Sequence, residues 1–429
     1  MKVAFYTLGC KVNQNETSAM QQLFASNGFT IATGKEIADI YVVNSCTVTA
    51  GGDKKSLQWL RHAKRINPLA ITILTGCLPQ AFPEKSTFLL DADIVTGAKN
   101  RISLLHNIDE FMKHGVRIVD ITPHEDADTF EELPLTKLQN HTRAFVKIED
   151  GCNNFCSYCI VPYARGRVRS RKESNILQEV TALCDNGYKE IVLTGINLAC
   201  YGNDTDTDLP EIVNKIAQNP NVSRIRLSSL EPNFLTNEQL ILLAKEKKLC
   251  PHFHFSLQSG CDATLSRMNR KYDTASYTKQ INLLKSLFSS ATFTTDIIVG
   301  FPGETDAEFE ESLNYVKTCG FLKVHIFPYS PRTGTPAASL SEQISSQVSK
   351  SRLKEISAAS DIMRNKVLER YKGITAFLLL EKALGRGMYL GYTEHYIPAT
   401  VFAPENVKGD IVKVKLSTFE KDVFSSALL

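Results

Sequence analysis

The 429-residue chain contains no apolar run near the ~18 to 20 residues that span a bilayer, no internal repeat and no low-complexity tract. These absences leave a soluble globular protein without a membrane span as the expectation. Its 43% hydrophobic content is enough for packed cores in two or three domains. Charge of one sign is also lacking: 49 Lys and Arg against 46 Asp and Glu leave +3. A partner recognised by charge must therefore be sought in local clusters. The opening MKVAFYTLGC carries one Lys and an apolar run too brief for a secretory signal, and it reads as a first strand. Eleven cysteines without such a signal point to a reducing cytoplasm, where clustered thiols serve metals or catalysis.

Three of those cysteines dominate the sequence. In GCNNFCSYCI, residues 151–160, Cys152, Cys156 and Cys159 stand with three and then two residues between them. A structural zinc site prefers ligand pairs separated in sequence and a closed set of four. Here no fourth Cys or His lies beside the triplet, and the spacing points to a four-iron cluster with one iron open to a small-molecule ligand.

Residues 1 to about 112 alternate strand and helix: VAFYTL, a helix through ETSAMQQLFASNG, ADIYVVNSC, a helix through KKSLQWLRHAKRIN, then AITILTGC. Such alternation predicts a parallel sheet with crossover helices. Each of these strands runs out at a cysteine, Cys10, Cys46 or Cys77. Ligand sites of open α/β sheets lie at carboxyl ends of strands, so a second cluster is expected there. The competing reading of each alone is a small buried core residue.

From about 113 to 137 the chain is acidic and rich in turn formers, as expected of a connection across the surface. RAFVKIEDG then reads as a strand that delivers the Cys152 triplet. Strands recur at 190–197, 224–232, 252–260, 292–304 and 324–331, with helical stretches between them, giving six β/α units. That is a partial or complete β/α barrel, whose chemistry belongs at the carboxyl ends of its strands. A Ser- and Lys-rich helix follows over 341–372, then short strands that fit a small β-barrel of a kind that often touches RNA.

The segments TLGCKVNQNE, ADIYVVNSCTV, TGCLPQ, GCNNFCSYCIVPYARGRVRSR, LTGINLACYG, RLSSLEP, FSLQSG, LSRMNRKY, IIVGFPGET and FPYSPRTGTPA occur in this order. On them the chain resembles the radical S-adenosylmethionine (SAM) methylthiotransferases over essentially its whole length. The resemblance implies an α/β protein of three parts. A Rossmann-like parallel α/β methylthiotransferase domain over 1–112 holds an auxiliary [4Fe–4S] cluster on Cys10, Cys46 and Cys77. A partial (β/α)6 radical SAM core follows over 138–366, and a small all-β TRAM barrel over 367–429.

It further implies a [4Fe–4S] cluster on Cys152, Cys156 and Cys159 whose open iron chelates SAM, and whose electron cleaves it to methionine and a 5′-deoxyadenosyl radical. Two SAM molecules are used per turnover, one as methyl donor and one as radical source. Tyr158 would lie against the adenine through its backbone, Gly195 and Asn197 would face the methionine amino group, and Glu231 and Gln258 would bind the ribose or methionyl portion. Other uses stand beside these: a helix amino-terminal acid for Glu231, and satisfaction of loop backbone for Asn197 and Gln258. The resemblance also calls for an electron donor of flavodoxin or ferredoxin class and a sulfur source. No general base is identified, and Glu149 and Asp150 beside the triplet receive no role.

Three substrates occur in that family: isopentenyladenosine in tRNA, threonylcarbamoyladenosine in tRNA, and an aspartate of a small-subunit ribosomal protein. TLGCKVNQNE looks like the threonylcarbamoyladenosine branch. The expected activity is methylthiolation at C2 of that base, next to the anticodon, with a tRNA anticodon stem-loop as partner. A reading of another class is a non-catalytic iron–sulfur RNA-binding protein. Phosphate contacts are expected from Arg165, Arg167, Arg169, Arg171 and Lys172, and from Lys54, Lys55, Arg61, Lys64 and Arg65, with solvated faces as the alternative. From Lys372 onward seven Lys or Arg face six Asp or Glu, so Lys408, Lys413 and Lys415 act only if they share a face. Tyr389, Tyr392 and Tyr396 are candidates for base stacking or for packing.

Overall fold

The computed structural model describes every residue except 34–35, 88–90, 134 and 138–140. It divides into two compact units. The first comprises Met1–Gln139, Lys147–Lys172 and Ser330–Ala338, the second Asn140–Val146, Glu173–Tyr329 and Ser339–Leu429.

The first unit is built on a six-stranded sheet in the order Thr30–Ile31, Lys2–Thr7, Ile40–Ser45, Ile71–Gly76, Ile94–Thr96, Ile118–Asp120, parallel throughout. Its central strands IYVVNS and ITILTG are apolar on both faces, as parallel strands covered on two sides must be. Val42, Ile73 and Ile94 pack on one side with Met20 and Phe24 of helix Lys11–Ser26 and with Leu104 and Ile108 of helix Ser103–His114. Val43, Leu74 and Val95 pack on the other with Leu60 of helix Ala50–Ile66. Each such side chain contributes roughly 1.5–3 kcal/mol on burial.

Sequence alone reads three of the six strands. Ile94–Thr96 and Ile118–Asp120 are three residues long, too short to show a period, and Thr30–Ile31 is shorter still. Ile118–Asp120 lies within the acidic stretch expected to be a surface connection, whose described residues are mostly half-buried or exposed and which ion pairs tie down. Its Glu131 pairs with the buried Arg101, its Glu132 with Arg171 at 2.8 Å, and its Asp128 with Lys99 and His124.

The second unit carries the β/α repeat. One sheet runs in the order Arg224–Leu227, Glu190–Thr194, Ala144–Lys147, and a second in the order Ser229–Leu230, His252–Phe255, Thr292–Val299, Lys323–Pro328. The third strand position is thus broken at Ser228, between Leu227 and Ser229. The remaining pairings within the second sheet are parallel. Helices alternate with the strands, and Thr236, Asp273 and Thr305 close capping boxes on three of them. The six β/α units expected from sequence are present as a partial barrel.

Helix Ser346–Glu369 leads to a closed barrel ordered Thr375–Gly385, Met388–Thr393, Pro398–Phe402, Val423–Leu428, Ile411–Glu420. Its interior is filled by Leu378, Leu380, Ile397, Val401, Val414, Leu416 and Phe424. Glu190, fully buried, holds this barrel to the β/α strands through two arginines. It accepts from Arg224 Nε at 2.6 Å and Arg226 Nε at 2.7 Å. Those guanidinium groups donate onward to the carbonyls of Phe377, Tyr392, Thr393 and Glu394.

Candidate functional site

Cys10, Cys46 and Cys77 stand where three adjacent strands of the first unit end. Cys10 caps helix Lys11–Ser26, Cys46 follows strand Ile40–Ser45, and Cys77 opens helix Cys77–Ala81. Gly9 adopts φ +105°, and a Cβ on it would meet Cys46 Cβ at 2.7 Å and Sγ at 2.9 Å. The Cys10 and Cys46 loops therefore approach as closely as a glycine permits. Asn13 stitches them, its Nδ2 donating to Leu8 O at 2.8 Å and Ser45 O at 2.9 Å. Ser45 in turn links the Cys46 and Cys77 loops, donating to Thr75 O at 2.6 Å and accepting from Leu78 N at 3.2 Å. Burial, with the neighbouring thiols, pushes Cys46 up to about 12.

The Cys152 loop is equally constrained. Gly151 takes φ +89°, and a Cβ there would lie 1.9 Å from Arg167 O. Cys152 N donates to Gly166 O, Cys159 N to Cys156 O at 2.9 Å, and Ala337 N to Ser157 O at 2.8 Å. Phe155 adopts φ +46° within the loop. All six cysteines are free thiols. Among the described residues, no three His, Cys, Asp or Glu side chains are gathered around one point as metal ligands.

Arg165 joins the two loops, a residue that sequence reasoning placed only among RNA contacts. It ends helix Val161–Arg165, directly after the triplet, and this helix packs on Cys77–Ala81. Its Nε donates to Cys77 Sγ at 3.2 Å. Its Nη2 donates to Asn13 Oδ1 at 2.6 Å and Glu16 Oε2 at 2.9 Å, while Nη1 bonds Glu16 Oε1. Burial alone would raise the Glu16 carboxyl, but Arg101, Arg165 and Lys147 outweigh it and bring the group down to about 2. Asp150, beside the triplet, is a member of the same network, held low against its burial by Lys147, Arg165 and Arg169. A second arginine outside the expected set, Arg332, donates to Thr47 Oγ1 and Asp53 Oδ2, each at 2.6 Å, and so fixes the segment after Cys46.

The expected SAM contacts divide between the units. Tyr158 lies in the first, between Cys156 and Cys159. In the second, Gly195 and Asn197 follow strand Glu190–Thr194, and Asn197 Nδ2 donates to Glu231 Oε2 at 3.3 Å. Glu231 also pairs with the buried Arg270 at 2.9 Å, a partner that sequence reasoning missed. Gln258, at φ +67°, links Asp296 and Ile298 of the next strand through its backbone at 2.8 and 2.9 Å.

The basic run after the triplet is largely spent inside the protein. Arg165, Arg169 and Arg171 are 1%, 7% and 5% exposed, in ion pairs with Glu16, Asp150 and Glu132. Only Arg167 and Lys172 of that run are exposed. On helix Ala50–Ile66, Lys54, Lys55, Arg61 and Arg65 are exposed, though Arg61 pairs with Asp91. Tyr389 is buried, and Tyr392 and Tyr396 stack on each other at 4.9 Å beneath Arg143, so these rings serve packing. Lys413 and Lys415 are exposed on one face of their strand, with Lys408 exposed nearby in the chain.

Two family models match this architecture, the Radical SAM superfamily over residues 146–316 and the uncharacterised protein family UPF0004 over 2–97. Among solved structures, the chain is similar to the radical S-adenosylmethionine methyltransferase TsrM of Kitasatospora setae with cobalamin and [4Fe–4S] cluster bound. The TM-score is 0.58 at 14% identity, over 79% of this chain and 77% of that one. Fold and family model together define a radical SAM protein. The chain is 39% identical over 420 residues to threonylcarbamoyladenosine tRNA methylthiotransferase MtaB of Bacillus subtilis, covering 96% of this chain and 93% of that protein. A tRNA-2-methylthio-N(6)-dimethylallyladenosine synthase of Clostridium novyi is 37% identical, over 87% and 84%. The chain belongs to the threonylcarbamoyladenosine tRNA methylthiotransferase family.

The donor chemistry fits the iron–sulfur clusters that radical SAM proteins use. Each triplet offers three free thiols on loops closed by glycines whose Cβ space is already taken, and at the Cys10, Cys46 and Cys77 set Arg165 stands ready for thiolate charge.

Proposed function

We propose that this chain transfers a methylthio group to threonylcarbamoyladenosine of tRNA, at C2 of the base next to the anticodon. The observation that carries this reading is the 39% identity across nearly the whole chain to the Bacillus subtilis protein of that activity. In this reading Cys152, Cys156 and Cys159 hold the [4Fe–4S] cluster that receives SAM, and Cys10, Cys46 and Cys77 hold the auxiliary one. When bound, the clusters and SAM supply the one-electron and sulfur chemistry. The protein's part is to position them and exclude water.

Tyr158, Gly195, Asn197, Glu231 and Gln258 bind SAM, with Arg270 orienting the Glu231 carboxylate. Residues 1–112, 138–366 and 367–429 serve as auxiliary-cluster, radical SAM and TRAM domains. The exposed Lys54, Lys55, Lys413 and Lys415 are the basic groups available to RNA phosphates. An anticodon-loop adenosine is already largely unpaired, which lowers the cost of presenting it. The setting is the cytoplasm, with an electron donor of flavodoxin or ferredoxin class and a separate sulfur source.

Mass spectrometry of tRNA from a deletion strain tests the reading. Methylthio-threonylcarbamoyladenosine should vanish and its unmethylthiolated precursor accumulate. Unchanged methylthio-threonylcarbamoyladenosine refutes it, and loss of methylthio-dimethylallyladenosine instead moves the chain to the other tRNA branch. Reduced, reconstituted protein should form 5′-deoxyadenosine, and Cys156→Ala should abolish that.

A further inference from the structure

We propose that Arg165 sets the reduction potential of the cluster on Cys10, Cys46 and Cys77, through the hydrogen bond from its Nε to Cys77 Sγ. The inference rests on the placement of that cluster given above.

Every polar hydrogen of the Arg165 guanidinium is directed to a partner. The group is 1% exposed and gripped by Glu16 through two nitrogens, with Asn13 taking a further bond at 2.6 Å. Glu16 and Asn13 both sit on the helix that begins at Cys10, three residues apart, so they face the same way. The Nε–H is thus aimed at Cys77 by groups that cannot easily turn, at a donor–sulfur distance of 3.2 Å. Arg165 also ends the helix that follows Cys159, so the sulfur it contacts belongs to one triplet while its backbone belongs to the loop of the other.

The buried charge points the same way. Arg165 is ion-paired with Glu16 and Asp150 and directs its remaining Nε–H at a sulfur, and a buried charge is costly unless anions stand beside it. A four-iron core held by three thiolates is an anion overall, and it becomes more negative on reduction. Hydrogen bonds to cluster sulfurs set the potential of such centres. An N–H···S bond favours the more negative, reduced state and so raises the potential.

A mere core ion pair would need Arg165 only for Glu16. The two roles separate in the full chain with Cys152, Cys156 and Cys159 replaced by Ala, so that one cluster reports. Arg165→Lys keeps a cation for Glu16 but loses the planar fork that reaches Glu16 and Cys77 together. The double variant Arg165→Met with Glu16→Gln removes a cation and a carboxylate at once, so it leaves the net charge of the network unchanged, with Arg101 still paired to Glu131 and Lys147 to Asp150.

Anaerobic reconstitution, iron analysis and an EPR-monitored redox titration give the readout. Both variants should retain iron and be reduced about tenfold less at a fixed potential, ~59 mV lower for a one-electron couple. Full iron at the parent's potential in both variants overturns the inference. Loss of iron from both gives Arg165 a structural place only and overturns it too. Absence of iron from the Cys152, Cys156 and Cys159 variant itself overturns the auxiliary-cluster reading, a result distinguishable from the other two.

Discussion

Replacing Glu190 with Gln should cost a substantial part of the chain's stability. Glu190 is fully buried, and two arginines that bind the carboxyl-terminal barrel by its carbonyls depend on its charge. Burial alone would raise its carboxyl, but Arg224, Arg226 and Arg143 outweigh this and bring it from 4.5 to about 2. That depression corresponds to ~3 kcal/mol of folding free energy at neutral pH. Removing one partner of a buried ion pair independently predicts about 3–5 kcal/mol.

The sign follows from the lowered pKa. The contribution is fully present above the unfolded value of 4.5 and is lost as pH falls toward the folded value of about 2. By pH 3 it should have shrunk to roughly 1 kcal/mol, because the unfolded carboxyl there takes up a proton that the folded one refuses. Urea unfolding followed by circular dichroism at pH 7 and again between pH 4 and 3 checks this. Glu190→Gln should show a clearly lower midpoint at neutral pH and a gap that narrows on acidification. An unchanged midpoint at pH 7, or a gap indifferent to pH, would refute the idea that Glu190 is charged and anchors both arginines.

Two further outcomes follow from the same geometry. Gly9→Ala forces a side chain at φ +105° into Cys46 Cβ and Sγ, so reconstituted protein should bind about half the parent's iron while the Cys152 cluster persists; a full complement of iron would refute it. The double change Lys54→Glu and Lys55→Glu should weaken binding of an anticodon stem-loop and flatten its salt dependence by about two in log–log slope, whereas Arg171→Gln, whose guanidinium already pairs with Glu132, should leave that slope unchanged in gel-shift titrations at several salt concentrations.

The placement of Cys10, Cys46 and Cys77 at the ends of three strands was legible because strand ends are local properties. The six β/α units were legible for the same reason, each strand being a short apolar run between turn formers. Partnership was not local. Arg165 reads as one of five basic residues within eight positions, and its partner Glu16 lies 149 positions away. Arg332 and Asp53 are 279 positions apart. Nothing within a window of sequence separates an arginine bound for a buried carboxylate from one bound for solvent. Asn13 and Glu16, set i and i+3 on the helix opening at Cys10, were the available signal that a polar face turns toward the cysteines. The tyrosines stood open between base stacking and packing for the same reason: Tyr396 finds Tyr392 nearby but also lies against His252 and Arg226, which belong to distant strands.

The small net charge therefore conceals a division of labour. Beside the cysteines, arginine and lysine occur buried and fixed by Glu16 and Asp150, where low dielectric makes each charge act strongly on neighbouring sulfurs. On helix Ala50–Ile66 and on strand Ile411–Glu420 they occur exposed, where solvent and salt weaken each charge. A chain that handles both an anionic cluster and an anionic nucleic acid has a use for each kind of cation, because both anions are brought to one place against their mutual repulsion. The total of +3 reports neither population, since it adds the buried, paired cations to the exposed ones.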